Sequence, residues 1–114
     1  MDSERERMRR VLATKAMGWR PSSREHLGVW EDATGHARAL RVMWDPFADP
    51  KQMMDVIEAM REKGWQWEIE DGYENGFVRV TLTDAMGDGP DVFDEDECYA
   101  RMLAAFRALE ATDD

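Results

Sequence analysis

The residues of this chain best suited to bind an anion lie in the stretch WRPSSRE, residues 19–25. Arg20 and Arg24 can donate charge-assisted hydrogen bonds to a phosphate or a carboxylate. Ser22 and Ser23 add hydroxyl groups and backbone N–H donors from a segment with the composition of a loop. A solvated polar loop has the same composition and is the commoner outcome, so the sequence leaves both interpretations open.

Tryptophans and further arginines follow this stretch in the N-terminal half. Trp30 or Trp44 could stack a nucleobase, and Arg38 or Arg41 could add positive charge. Trp19 directly follows a glycine at a predicted helix end. A residue at this position typically packs back onto its helix, so Trp19 is better explained as a core plug, a side chain that fills the core, than as a flat ring on which a ligand stacks. Binding requires Arg20, Arg24, Arg38 or Arg41 to converge with a tryptophan on one concave surface, and scattered arginines would contradict it. The residues that we predict to bind a ligand are Trp19, Arg20, Ser22, Arg24, Trp30, Arg41 and Trp44.

The sequence contains no arrangement typical of catalysis or of metal binding. His26 and His36 have no evident partner, and neither a Walker loop, nor a Rossmann glycine pattern, nor zinc-ligand spacing occurs. The segment DAMGDGPDVFDE, residues 84–95, partly matches a calcium loop, but Met86 stands where an oxygen ligand is needed. We therefore predict a protein that is not an enzyme, with no catalytic residues, no metal and no cofactor.

The charge of the chain is uneven. Residues 1–48 carry nine Lys/Arg against seven Asp/Glu, whereas residues 49–114 carry six against eighteen. A net charge of −10 disfavours direct binding to nucleic acid, because phosphate backbones repel it. A lone cysteine, Cys98, and the lack of a long apolar run predict a cytoplasmic protein with neither a secretion signal nor a membrane span.

The pattern of apolar residues predicts a single α/β (α+β) domain over residues 1–114. Helical spacing marks three helices, and alternation marks two β-hairpins. The predicted order αββαββα gives one four-stranded sheet, made from both hairpins, with the three helices packed on it. The predicted elements are helix 3–17, hairpin 26–44, helix 50–63, hairpin 65–83 and helix 95–111.

Four stretches of this chain resemble the phage ABA sandwich domain family, small proteins of phages and prophages. They are LATKAMGW (12–19), DPFADP (45–50), VIEAMREKGW (56–65) and CYARMLAAFRALEA (98–111). The resemblance covers residues 8–111 and implies a layered α-β-α fold and a phage or prophage setting, in the host cytoplasm. It supplies no activity and no catalytic residues.

Three functions are compatible with these features. The first is a phage accessory protein that captures a small anionic ligand without catalysis, such as a nucleotide-type signal of host defence. The second is an acidic interaction module that inhibits a host protein or mimics nucleic acid, with binding that weakens in salt. The third is a structural phage protein or a homo-oligomer in which the basic and acidic halves of neighbouring copies meet.

Overall fold

Three helices and two three-stranded antiparallel sheets make up the mixed α+β fold in the computed structural model, which describes residues 2–22, 28–71 and 76–111. The helices are α1 (Asp2–Val11), α2 (Pro50–Glu62) and α3 (Glu97–Ala111), and α1 continues as a π-helical turn over Leu12–Ala16. The strands are β1 (Arg20–Pro21), β2 (Val29–Glu31), β3 (Ala37–Leu40), β4 (Gln66–Glu70), β5 (Val78–Thr83) and β6 (Asp91–Asp94).

The three helices and both antiparallel strand pairs are confirmed, but the single four-stranded sheet is wrong. The sheets have the orders β1-β2-β3 and β4-β5-β6. Two short strands that the sequence analysis assigned to loops, β1 and β6, pair with the free edges of β2 and β5. Those edges are therefore unavailable for pairing between the two hairpins. The predicted hairpin 26–44 is also shorter, since the chain turns after Leu40.

Helices α1 and α2 both end at a glycine followed by a tryptophan. Gly64 has a φ of 98°, and the N–H of Trp65 donates to the carbonyl of Met60 at 3.1 Å. Gly18 has a φ of 74°, and the N–H of Trp19 donates to the carbonyl of Ala13 at 2.9 Å, one residue further back because the π-helical turn widens this end. Glycine adopts this left-handed conformation without steric cost, and it returns each tryptophan toward the core.

Aspartates define where α2 and α3 begin. An aspartate followed by a proline is typical of a helix start, and the Asp49 carboxylate accepts hydrogen bonds from the backbone N–H groups of Lys51 and Gln52. The Gln52 side chain does not return to Asp49 but accepts from the N–H of Asp45 at 2.7 Å. For α3 the cap is Asp96, whose carboxylate accepts from the N–H of Tyr99, so the helix begins two residues later than predicted.

One hydrophobic core joins the helices to both sheets. Fully buried side chains come from every helix and from β5, among them Leu12, Ile57, Leu82 and Met102. The first sheet and the segment that follows it contribute Trp30, Trp44 and Phe47. None of the helices among the described residues has the length and apolar character that crossing a membrane requires.

Candidate anion-binding cleft

A cleft of about 250 Å³ lies between α1 and the first sheet. Helix α1 contributes Glu6, Arg9 and Arg10, the sheet contributes Pro21 and Trp30, and the chain around the sheet contributes Gly28, Arg41 and Val42. Among the described residues, three guanidinium groups and one carboxylate therefore border the same space. Of the four arginines that the sequence offered for an anion site, Arg41 lines this cleft. Arg20 and Arg38 lie elsewhere, each close to a carboxylate.

The sheet register explains why Arg41 and Trp30 meet in this cleft. Trp30 pairs with Pro21 on one side and with Ala39 on the other, and paired residues share a sheet face. Arg41 lies two residues after Ala39 and so continues the same face. Its guanidinium carbon stands 5.9 Å from the centre of the Trp30 ring, close enough for a cation–π contact that orients the charge.

The three arginines of the cleft keep their charge available. Within residues 2–22, 28–71 and 76–111, no carboxylate oxygen lies within 4.0 Å of a side-chain nitrogen of Arg9, Arg10 or Arg41. Arg5 and Arg7 on the same helix are ion-paired instead, at 3.2 Å to Asp45 and 2.8 Å to Glu110. Cationic groups without a counter-ion at one concave surface attract an anionic ligand.

Some residues of the predicted site line the cleft, and others lie elsewhere in the fold. Trp30 and Arg41 meet in the cleft, whereas Arg20 forms an ion pair with Glu31 at 3.2 Å, its partner across β1 and β2. Ser22 is 8% exposed, and its backbone N–H donates to Val29 at 3.0 Å, which places it in the wall of the fold. Arg24 lies outside the described residues.

The expectation that a tryptophan stacks a nucleobase does not fit the burial of these rings. Trp30 is 5% exposed and Trp44 is 2% exposed, so neither presents a free face to a ligand. Trp19 is half-buried against Trp44, with ring centroids 5.2 Å apart in an edge-to-face arrangement. The prediction of Trp19 as a core plug is consistent with this packing, because edge-to-face contacts stabilise buried aromatic pairs.

A second depression lies near Trp19 and differs in charge. It is an open groove of about 650 Å³ bordered by four carboxylates, those of Asp32, Asp55, Glu58 and Glu62, and by Arg38 and Lys63. Arg38 stands 3.9 Å from the Asp32 carboxylate. Because carboxylates outnumber cations there, this groove is the less suitable of the two for an anion.

Asp32 itself has a local structural role. The Thr34 hydroxyl and the backbone N–H of His36 donate hydrogen bonds to its carboxylate, at 2.5 and 3.0 Å. These bonds, with that of Thr34 the largest cause, lower the pKa of Asp32 from 3.8 to about 2. The carboxylate thereby closes the turn between β2 and β3.

The partial calcium-loop match and the lone cysteine of the sequence have structural roles in the fold. The Asp84 carboxylate accepts from the N–H groups of Met86 and Asp88, which closes the turn between β5 and β6. The Cys98 thiol donates to the carbonyl of Pro46 at 3.1 Å, and burial raises its pKa. In the described ranges, no cluster of three or more His, Cys, Asp or Glu is placed to hold a metal ion.

Arg9 and Arg10 line the candidate cleft, and sequence reasoning did not include them in the predicted site. The apolar stripe of α1 assigns both to its polar face, which is typical of solvated charge. The available signal was their place in the half of the chain whose net charge is positive.

Comparison of the chain with protein-family models, with curated proteins and with solved structures found no match.

Proposed function

We propose that this protein captures a small anionic ligand stoichiometrically in the cleft between α1 and the first sheet. The observation that carries the proposal is the set of three guanidinium groups, Arg9, Arg10 and Arg41, that border one cleft without a carboxylate partner in the described residues. Each guanidinium can donate paired hydrogen bonds to a phosphate or a carboxylate. In the phage setting that the family resemblance implies, such capture would sequester an anionic signal of the host.

The composition of the cleft supports binding rather than catalysis. Its described lining contains no Ser, Thr, Cys, His or Lys side chain, and so no common nucleophile and no histidine or lysine for proton transfer. Glu6 is the one carboxylate there, and it is solvent-exposed on α1. The described lining is therefore better suited to hold a charged group in place than to supply a nucleophile.

Isothermal titration with inorganic phosphate and with ribose 5-phosphate tests the proposal. We expect binding that Arg10→Gln and Arg41→Gln each weaken about tenfold or more, since a hydrogen bond to a charged group contributes about 1.5–3 kcal/mol. The matched control is Arg20→Gln, because Arg20 is ion-paired outside the cleft. No binding by the folded protein, or equal weakening by Arg20→Gln, would reject the cleft as the site.

Recovery of a bound molecule provides a second test of the same proposal. The protein would be purified gently from cells with an active nucleotide-signalling defence, denatured, and its supernatant measured by mass spectrometry. A stoichiometric anion that is missing from the Arg41→Gln preparation would identify the ligand. An empty supernatant from a folded protein would favour the second candidate function.

That second candidate is an acidic interaction module, and the exposed face of the second sheet favours it. The register aligns Glu68 with Thr81 and Asp91, and Glu70 with Arg79 and Phe93, on the face away from the core. Phe93 is 51% exposed among these acids. An aromatic residue surrounded by negative charge is suited to a basic protein surface, and its binding should weaken steeply with salt.

A further inference from the structure

An aliphatic residue stands in the wall of the basic cleft. Val42 borders the cleft, and it is 83% exposed. Met43, the next residue, is 68% exposed. Neither side chain can offer a hydrogen bond that would help to hold an anion. Val42 offers a ligand apolar surface in the same cleft wall as three guanidinium groups, and Met43 extends the exposed apolar surface along the chain.

A backbone turn after Leu40 keeps Val42 and Met43 exposed. The N–H groups of Met43 and Trp44 both donate to the carbonyl of Leu40, at 3.1 and 3.0 Å. The resulting turn directs Trp44 into the core, where it is 2% exposed, and leaves Val42 and Met43 at the surface. Leu40 is also exposed, but it pairs with Val29 and so faces away from the cleft.

The size and charge of the cleft limit what the ligand can be. A volume of about 250 Å³ is smaller than the roughly 300–1,000 Å³ of sites that enclose a whole drug-sized molecule. The cleft can therefore enclose a charged head while the rest of the ligand extends outward past Val42. Three guanidinium groups against the Glu6 carboxylate match a phosphomonoester, which carries a charge of roughly −1.5 to −2 at neutral pH.

We infer that the ligand is a soluble organic monophosphate with an apolar body. Arg9, Arg10 and Arg41 bind the phosphate, and the carbon chain lies on Val42 and Met43. This inference rests on the proposed function and deepens it, because it names the class of anion. It also explains why an exposed aliphatic residue borders a basic cleft, an arrangement that would not help to bind a bare ion.

A matched pair of phosphates tests the inference by isothermal titration. Pentyl phosphate and ribose 5-phosphate carry the same phosphomonoester and the same number of carbons, and they differ in the hydroxyl groups and ring of the sugar. We expect pentyl phosphate to bind about tenfold more tightly, the effect of burying roughly 55 Å² of apolar surface. Equal affinity, or tighter binding of the sugar phosphate, would overturn the inference and leave the proposed function standing. Failure of both ligands to bind would reject the proposed function itself.

Variants of Val42 and Met43 test whether these residues cause the preference for pentyl phosphate. Val42→Thr and Met43→Gln keep the shape of each side chain and add polar atoms, and we expect the double variant to bring the ratio of the two affinities from about tenfold to near one. Met86→Gln is the matched control, because Met86 is 84% exposed in a turn of the second sheet. A preference that survives the double variant, or that Met86→Gln removes equally, would contradict the assignment.

A vesicle experiment separates a soluble phosphate from the same headgroup in a bilayer. The net charge of −10 opposes approach to an anionic membrane, so we expect no co-sedimentation with vesicles of phosphatidic acid in phosphatidylcholine. Co-sedimentation that Arg41→Gln abolishes would overturn the assignment of a soluble ligand and place a lipid headgroup in the cleft.

Discussion

Each of the two sheets holds an arginine over an aromatic ring, and the neighbours of the two arginines differ. Arg41 stands 5.9 Å from the Trp30 ring in the first sheet, and Arg79 stands 5.8 Å from the Phe93 ring in the second. Two carboxylates, those of Asp91 and Glu70, bind Arg79 at 2.7 and 3.2 Å. Arg41 has no such partner among the described residues.

The difference shows that neighbouring charges, rather than residue type, decide what an arginine does. Arg79 has its charge balanced by carboxylates on the adjacent strands, so it ties β4, β5 and β6 together across the exposed face. The guanidinium of Arg41 stands over its ring, and no carboxylate of residues 2–22, 28–71 and 76–111 balances its charge, which is the basis of the proposed anion site. In the second sheet the arginine therefore holds strands together, and in the first sheet we propose that it binds a ligand.

The turns of the two sheets give the largest expected contrast in stability. A Cβ added at Gly89 would lie 1.8 Å from the carbonyl oxygen of Leu82, so Gly89→Ala must displace backbone of β5. We expect it to lower the free energy of unfolding by about 3 kcal/mol, at the upper end of what overpacking costs. Gly35→Ala in the first sheet meets no atom within 4 Å, but its φ of 88° costs about 1 kcal/mol. Urea denaturation checks both variants, and equal losses would mean that the second sheet tolerates the displacement.

The two arginines that stand over aromatic rings, Arg79 and Arg41, give an intermediate expected difference in stability. Arg79→Met keeps the aliphatic stem but removes the charge, and we expect it to lower the free energy of unfolding by about 1 kcal/mol, because a partly exposed network is weakly stabilising. Hydrogen bonding to Arg79 is the largest cause that lowers the pKa of Asp91, so this pKa should rise in the variant. Arg41→Met should cost less than about 0.5 kcal/mol. Urea denaturation and carboxylate NMR titration measure the two quantities, and an unchanged Asp91 would contradict the proposed role of Arg79.

The smallest expected effect is on stability at acid pH, and it comes from Asp32 in the turn between β2 and β3. The pKa of Asp32 is about 2 in the folded chain and 3.8 without these contacts, so its ionisation stabilises the fold above pH 3.8, and this contribution is lost as the pH falls toward 2. We expect Asp32→Ala to be destabilising at pH 7 and to approach the parent protein below pH 3. Urea denaturation across this range measures it. Thr34→Val removes the hydroxyl donor, so the stability that Asp32 contributes should be lost at a higher pH. If the pH dependence of stability is the same in Thr34→Val, groups other than Thr34 lower the pKa of Asp32.

Local patterns predicted the elements that local physics governs. The helical stripes, the Gly-Trp ends of α1 and α2 and the Asp49 cap depend on residues within a few positions of one another, and all are present in the structure. The alternation of apolar residues likewise predicted the antiparallel pairs β2–β3 and β4–β5. For such features the necessary contacts are already adjacent in the sequence.

Only the tertiary structure decided the sheet partners and the members of the cleft. Strands β1 and β6 are too short and too polar for alternation to mark them, and they form because an open strand edge lies beside them. Arg9 and Arg10 line the same cleft as Arg41 and Trp30, at a sequence separation that no local pattern reports. The sequence by itself determined that the positive charge lies in the N-terminal half. Which of those charges meet in one cleft depends on long-range packing, and on whether a carboxylate lies within reach of each.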